Sequence, residues 1–411
     1  MSPEHVRKLD QLDPLAGKRR LFVLPEGLIY LDGNSLGALP IAAQQRAAEI
    51  VTQEWGQDLV GSWNTHAWID MPLKVGEKIA PLLGASAGQV ICCDSISVNL
   101  FKVLAAALQM QTDRHVILSQ EDNFPADLYI AEGLGSIGKS GNVELKLVDD
   151  SGIEAALDDS VAVLMLTHVN YRSGKVHDMR RLTELAHEKG ILVIWDLAHS
   201  AGAVPLALDD CNVDFAVGCG YKYLNGGPGT PAFIYAAKHH QDRIRQPLSG
   251  WMGHAAPFAF DTQYRAAQGM RQFLAGTPPI LSMGVLDAAM DVFEGVDMQV
   301  LRDKSRKLGE LFLERAADTG CLAEFELVSP ADSAQRGSQL ALGHPRAFAI
   351  CQALIDRDVI ADFRAPDVLR LGFAPLYLRY RDVARSVEIL AKVMAGKIYE
   401  HEKYSKRQKV T

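Results

Sequence analysis

In "GCGYKYLNGGPG" (218–229) a single lysine, Lys222, stands between two tyrosines, after an apolar run and before glycines and a proline that break regular structure. A lysine amine in such a place can form a Schiff base with a carbonyl compound. Upstream, the apolar run "ILVIWD" (191–196) ends in Asp196. Further upstream, "DSISVNLFK" (94–102) sets Ser95 and Ser97 at the start of a helical pattern, where backbone N–H groups and hydroxyls suit a phosphate. A phosphate seat, a carboxylate and an amine are the parts that a pyridoxal-phosphate site needs. The lysine holds the cofactor as a Schiff base, and the carboxylate keeps the pyridine nitrogen protonated so that the ring accepts electrons. Glycines after Lys222 let the backbone pass close to the cofactor.

Each part also has an ordinary role open to it. An Asp at a strand end caps a loop, a Ser at a helix start caps the helix, and a Lys before a glycine loop sits on the surface. "NGGPG" alone is a turn, and "GCGYK" lacks the GxxxxGK[ST] form of a P-loop. His239 and His240 precede a charged run and read as solvated, so no metal is expected. What carries the reading is the order and placement of the parts together.

Strands and helices must deliver those parts. Seven short apolar runs recur: "QVICCD" (89–94), "HVILSQ" (115–120), "VELKLV" (143–148), "VAVLML" (161–166), "ILVIWD" (191–196), "DFAVGC" (214–219) and "PAFIYA" (231–236). Several are apolar at every position, as in strands buried on both faces of a parallel sheet. Helical patterns at 97–110 and 179–190 lie between them, the second ending on a glycine placed as a C-cap. This alternation predicts an α/β domain with a mostly parallel sheet over about residues 51–285. Ligands of such sheets collect at the carboxyl ends of the strands, where Asp196 and Lys222 fall. Beyond residue 285, amphipathic patterns at 300–318 and 384–404 flank "CLAEFELVS" and "VLRLGF", which read as strands of a smaller α+β domain.

The 411 residues are 48% hydrophobic and 22% charged, with a net charge of −8. That composition supports a large core and argues against a nucleic-acid or membrane surface. Six scattered cysteines suit reduced thiols in a cytoplasmic protein better than a disulfide framework. Nothing in the N-terminal stretch reads as a signal peptide, and no run is long enough to span a membrane. The basic ending "KYSKRQKVT" reads as a solvated tail.

Six stretches together resemble the kynureninase family in its bacterial form: "LDGNSLG" (31–37), "NFPADLYIAEG" (123–133), "WDLAHSAGA" (195–203), "YKYLNGGPG" (221–229), "PLSGWMGH" (247–254) and "RLGFAPLY" (370–377). The resemblance implies the type I fold of pyridoxal-phosphate-dependent transferases. It implies a large domain with a mostly parallel seven-stranded sheet, a small C-terminal α+β domain from residue 286, and residues 1–50 packing with the small domain. It also implies a homodimer with a shared active site.

Residue roles follow from the same resemblance. Lys222 would carry the cofactor, Asp196 would pair with the pyridine nitrogen, and His199 would lie beside it. Phe124 would stack on the ring, with Pro125, Ala126, Asp127 and Thr167 lining the site. Ile96 and Ser97 would hold the phosphate, although many family members have threonines where this chain has Ser95 and Ile96. Tyr221 would reach the phosphate and the reacting centre. Trp251 and Thr277 would enter from the other subunit, and Arg370 and Ser35 would hold the substrate carboxylate. Trp63, Trp68 and Trp251 could form an aryl pocket, though Trp63 and Trp68 equally suit a core or an interface.

The implied reaction is hydrolysis of L-kynurenine to anthranilate and L-alanine, with 3-hydroxykynurenine a poorer substrate. It would serve tryptophan breakdown or NAD synthesis. Two alternatives remain open. One is another class V enzyme of this fold, such as a cysteine desulfurase or an aminotransferase. The other is a catalytically idle cofactor-binding dimer.

Overall fold

Strands that are apolar at every position need cover on both faces, and the computed structural model, which describes residues 3–136 and 143–406, provides it. Seven strands form one sheet: β1 (Val90–Cys93), β2 (Val116–Gln120), β3 (Glu144–Val148), β4 (Val161–Thr167), β5 (Leu192–Asp196), β6 (Phe215–Cys219) and β7 (Ala232–Ala236). Their spatial order is β1-β7-β6-β5-β4-β2-β3. All seven expected runs are strands, and β7 alone runs antiparallel to its neighbours. β4, β6 and β7 are buried at every residue, whereas β3, at the edge, is partly exposed.

Helices supply the cover. In α1 (Ile96–Met110), Leu100, Val103, Leu104 and Ala107 recur at helical spacing and are all buried. α2 (Pro125–Gly135) packs against α1. α3 (Met179–Glu188) ends where expected: Gly190 takes a φ of 69°, and the Ile191 N–H reaches back to the Ala186 carbonyl at 2.9 Å. Only glycine adopts that left-handed backbone without a Cβ penalty.

The C-terminal part is a four-stranded antiparallel sheet, β8 (Glu326–Leu327), β9 (Gln339–Gly343), β10 (Asp362–Arg364) and β11 (Val368–Gly372), in the order β8-β9-β11-β10. Two long helices, α4 (Met298–Thr319) and α5 (Tyr380–Ala395), pack on each other beside it. The periodicity over 384–404 overruns the real helix. α5 begins earlier, at a reciprocal Arg379–Asp382 cap, and stops at Gly396; left-handed Lys397 (φ 46°) and two short 3₁₀ turns follow. The basic tail from residue 407 lies outside the described residues.

The N-terminal segment touches both parts. Helix Pro3–Gln11 lies on α5, with the Tyr380 N–H donated to Asp10 at 2.8 Å, and Asp13 pairs with buried Lys304 at 2.7 Å. Ile29–Tyr30 pairs with Val359–Ile360. Helix Ile41–Glu49, by contrast, packs on Ile280–Ala289.

At the end of the sheet away from Lys222, the carboxylate of Asp214 gathers three donors: His187 Nε2 at 2.8 Å, His240 Nε2 at 2.6 Å and the Val193 N–H at 2.8 Å. His240 is therefore buried and stacked on Phe215, not solvated as the sequence suggests; His239 is exposed. The cause is the antiparallel β7, which returns its last residues over the start of β6.

The hydrogen bond to Asp214 holds the His187 imidazole above its ordinary value of 6.5. A raised folded-state pKa stabilises fully below the unfolded value and fades as pH rises through the folded one. His187→Gln is therefore expected to cost about 1 kcal/mol at pH 5.5 and little at pH 9. Urea unfolding at the two pH values checks this, and an equal loss at both would refute it.

Candidate active site

The carboxyl ends of five parallel strands deliver the chemistry to one place. β1 leads into Asp94–Ser97, β2 into Asn123–Asp127, β4 ends at Thr167, β5 ends at Asp196 and runs on to His199, and β6 leads to Tyr221 and Lys222. Thr167 and Asp196 are register partners, and Asp196 is the partner of Val217 on β6. The sheet therefore fixes the spacing of Thr167, Asp196 and the strand that leads to Lys222.

Lys222 Nζ lies 3.0 Å from His199 Nε2, 5.8 Å from the Tyr221 ring centre and 6.0 Å from that of Phe124. Burial lowers the pKa of its amine; Cys219 and Asp196 oppose that, while Arg370 and Arg364 add to it. Burial, then the charge of Lys222, keeps His199 neutral, with Nδ1 buried and unpartnered. Burial raises the Asp196 pKa, although Lys222 and the Ala198 N–H at 2.7 Å favour its ionised form. Asp127 is raised well above the carboxylate range by burial and by the charge of Asp196, and neither of its oxygens has a hydrogen-bond partner. Two buried carboxyls side by side, with orphaned oxygens, form a site that calls for a cationic N–H donor. A protonated pyridine nitrogen is such a donor, so the residues present fit pyridoxal phosphate.

Neighbouring groups frame this centre. Thr167 donates to Asn123 Oδ1, which also accepts the Phe124 N–H at 2.8 Å, while Asn123 Nδ2 donates to Ser119 at 3.0 Å. Asn123 thus holds Thr167 and Phe124 in place. The partly exposed Phe124 ring meets Tyr171 edge-on at 5.2 Å. Pro125 and Ala126 open α2, and Asp127 follows in its first turn. Burial, with Cys219 and Asp196, raises the Tyr221 pKa, so this phenol stays a donor at neutral pH.

At the other end, Ser95 caps α1 by accepting the Val98 N–H at 3.4 Å. Ile96 and Ser97 are the first helical residues, and a helix N-terminus favours a phosphate. Asp94, adjacent to that seat, is paired with fully buried Lys102.

Arg370 and Ser35 meet from opposite ends of the chain. Asp362 and Arg370 are direct cross-strand partners on β10 and β11. Arg370 forks onto Asp362 at 3.1 and 2.6 Å, donates to the Tyr171 carbonyl at 2.6 Å, and reaches Ser35 Oγ at 2.9 Å. Ser35 in turn donates to Asp362 at 2.6 Å. Its stretch, "LDGNSLG", docks directly on the lysine loop, with the Gly37 N–H donated to the Tyr221 carbonyl at 2.8 Å.

Trp251 and Thr277 are exposed, and Trp251 meets Phe258 edge-on. Trp68 is core: its indole N–H donates to Glu54 at 2.6 Å, and Trp63 packs edge-on against it. Five cysteines are buried and Cys211 is half-buried, so no exposed thiol is available as a mobile nucleophile. Sequence reasoning assigned no role to Asn123, Asp362, Arg364 or Asp32. Asn123 and Asp32 stood within quoted motifs; for Asp362 and Arg364, the signal exists only in the cross-strand register.

A half-buried lysine, two buried acids and a helix N-terminus at the carboxyl ends of this sheet define a pyridoxal-phosphate-dependent enzyme of the type I fold. The solved structures agree on the fold. A cysteine desulfurase from Thermococcus onnurineus NA1 superposes with a TM-score of 0.74 at 19% identity, covering 96% of this chain and 99% of that one. A variant of the enzyme C-DES, with glycine covalently linked to its PLP cofactor, gives 0.76 at 16% identity, covering 91% and 98%. In sequence, the kynureninase of Pseudomonas fluorescens is 47% identical over 98% of this chain and 98% of its own length. The family model for the kynureninase C-terminal domain matches residues 301–390, and that of the DegT/DnrJ/EryC1/StrS aminotransferase family matches 75–206. The chain belongs to the kynureninase family, and its cofactor is pyridoxal phosphate.

Gly37 is the close approach on which the lysine loop rests. A Cβ there would lie 2.3 Å from the Lys222 carbonyl oxygen and 2.6 Å from Asn225 Cα, both backbone atoms. Gly37→Ala is expected to displace Lys222, to cost roughly 1–3 kcal/mol of stability and to weaken cofactor retention at least tenfold. Thermal unfolding and cofactor absorbance after gel filtration measure both. Full retention would show that the loop yields without moving the amine.

Proposed function

We propose that this chain hydrolyses L-kynurenine to anthranilate and L-alanine at the site around Lys222. The observation that carries the residue assignment is the half-buried Lys222, whose amine lies 3.0 Å from His199 at the strand ends that also hold buried Asp196 and Asp127. In this reading Lys222 holds the cofactor covalently in the resting enzyme, Asp196 faces the pyridine nitrogen with Asp127 beside it, and Phe124 covers the ring. Ile96, Ser97 and Tyr221 take the phosphate, while Thr167 and His199 flank the ring. When bound, the cofactor draws off the electron pair released at the substrate α-carbon.

The chain's own groups do the rest. Lys222 Nζ takes the α-proton, for which it must be neutral, and burial lowers its pKa in that direction. Water adds to the γ-carbonyl carbon and the Cβ–Cγ bond breaks, releasing anthranilate. Tyr221, a neutral phenol, donates to the oxyanion that forms there, a task worth several kcal/mol at comparable sites. Protonation of the remaining three-carbon fragment gives L-alanine. Ser35 and Arg370 face the substrate carboxylate.

A second copy of the chain completes the site in this reading, bringing Trp251 and Thr277. Trp55, Val60, Trp251, Phe258 and Phe260 are large apolar side chains left exposed, as a homodimer interface would require. The division into an N-terminal segment (1–50), a cofactor domain (51–285) and a small domain (286–411) is part of the same reading. So is a cytoplasmic location, which the six free thiols favour. No helix among the described residues is long and apolar enough to cross a membrane. The reaction would serve tryptophan breakdown or NAD synthesis.

Anthranilate release from added L-kynurenine tests the reaction. Lys222→Gln is expected to abolish it and to leave no borohydride-reducible link between cofactor and chain; a pyridoxyl-lysine peptide from that variant would overturn the assignment. For the substrate ring, Thr277 offers a shorter side chain than the Asn found in the animal enzymes. A ring hydroxyl desolvated without a partner costs roughly 1–3 kcal/mol. L-Kynurenine is therefore expected to exceed 3-hydroxykynurenine about tenfold or more in kcat/KM, and Thr277→Asn to shrink the gap. Equal values in the parent enzyme would refute this.

A further inference from the structure

Arg370 is only 1% exposed, and most of its hydrogen-bonding capacity is already engaged. A guanidinium has five N–H groups. Nε and one hydrogen of Nη2 go to Asp362, the other Nη2 hydrogen to Ser35 Oγ, and one Nη1 hydrogen to the Tyr171 carbonyl. A single Nη1 hydrogen remains. Asp362 also offsets its charge, held ionised against burial by Arg370 and Arg364. A fork from Arg370 alone onto a substrate carboxylate would require breaking this cross-strand pair.

Arg364 is differently placed. It ends β10, two residues from Asp362, and its side chain is 36% exposed. Only Nη2 is engaged, with Asp362 at 2.8 Å and Ser35 Oγ at 3.3 Å. Nε and both Nη1 hydrogens have no partner among the described residues. Its partner Ser35 stands two residues before Gly37, whose N–H is donated to the Tyr221 carbonyl, so Arg364 borders the Lys222 loop, and its charge helps lower the Lys222 and His199 pKa values. Two guanidiniums against Asp362 leave one positive charge in the cluster. The remaining acid there, Asp32, is pushed up to about 7 by burial and by Asp362, so it is not fully ionised at neutral pH.

We propose that the substrate α-carboxylate is held across two guanidinium groups, one oxygen on Arg364 and the other on the free Nη1 hydrogen of Arg370. Arg364 supplies the uncommitted charge, and Arg370, locked by Asp362, supplies orientation. This makes Arg364 a substrate-binding residue that selects for an anionic α-substituent. The proposal rests on the amino-acid chemistry assigned above to the Lys222 site.

The test uses the holoenzyme, with L-alanine and L-alaninamide as probes that differ only in the charge of the α-substituent. Their dissociation constants are read from cofactor absorbance, alongside kcat and KM for L-kynurenine. In Arg364→Gln the preference for alanine over alaninamide is expected to fall tenfold or more, KM to rise at least tenfold and kcat to fall less than KM rises. Arg364→Lys, which keeps the charge, should recover part of the preference. An unchanged preference in Arg364→Gln overturns the proposal, as does an equal weakening of both probes, which marks a purely structural arginine. Absence of anthranilate release by the parent enzyme would instead refute the kynureninase reading, and the alanine-to-alaninamide ratio would still decide the role of Arg364.

Discussion

Setting an amine beside two buried carboxyls is the constraint on which the rest of the structure depends. Asp196 and Asp127 are removed from water, Lys222 is half-buried with its amine 3.0 Å from His199, and none of the three is matched by a full set of hydrogen bonds. Desolvation pushes the lysine pKa down and the two acids up, so each is biased toward its neutral form. Such a centre is tolerable only where a ligand supplies the missing partners and the surroundings cannot collapse. The five strand ends meet the second condition, since register fixes Thr167 opposite Asp196 and Asp196 opposite Val217.

Access to that centre is governed by segments remote in sequence. "LDGNSLG" packs on the Lys222 backbone through Gly37 and offers Ser35 to Asp362 and Arg370. The small sheet brings Arg364, Arg370 and Asp362 to the same face, and Arg370 bonds the carbonyl of Tyr171, whose ring meets Phe124. The N-terminal segment, the cofactor sheet and the small sheet are thus joined by one polar cluster. A shift of the small sheet would move Arg364, Arg370 and Tyr171 together. Hydrogen bonds thus couple the position of the guanidinium cluster to that of the Phe124–Tyr171 ring pair.

The opposite end of the sheet solves a different problem with similar means. Asp214 is buried and ionised because three donors converge on it, with His187 and His240 holding its carboxyl low against the effect of burial. Each donor comes from a different element: the end of α3, the turn after β7 and the backbone of β5. The clasp ties antiparallel β7 to the parallel strands β6 and β5.

Much of this was legible before any coordinates. All seven strands of the large sheet could be read from runs of apolar residues, because a strand buried on both faces leaves no polar position to mask it. Asp196 and Lys222 could be placed at strand ends, because the last apolar residue marks where the sheet stops. The length of α5 was misjudged because amphipathic spacing continues through Gly396, where the backbone turns although the pattern does not. The burial of His240 was missed because solvation was inferred from neighbouring charges, whereas Asp214 reaches it across two antiparallel strands. By itself the sequence determined the alternation of strands and helices, the placing of Asp196 and Lys222 at strand ends, and the family to which its motifs point. Only the tertiary structure decided that Arg370 commits nearly all its donors to Asp362, Ser35 and Tyr171 while Arg364 engages Nη2 alone. Charge pairing across strands depends on register, and register is set by the packing of the whole sheet rather than by local spacing.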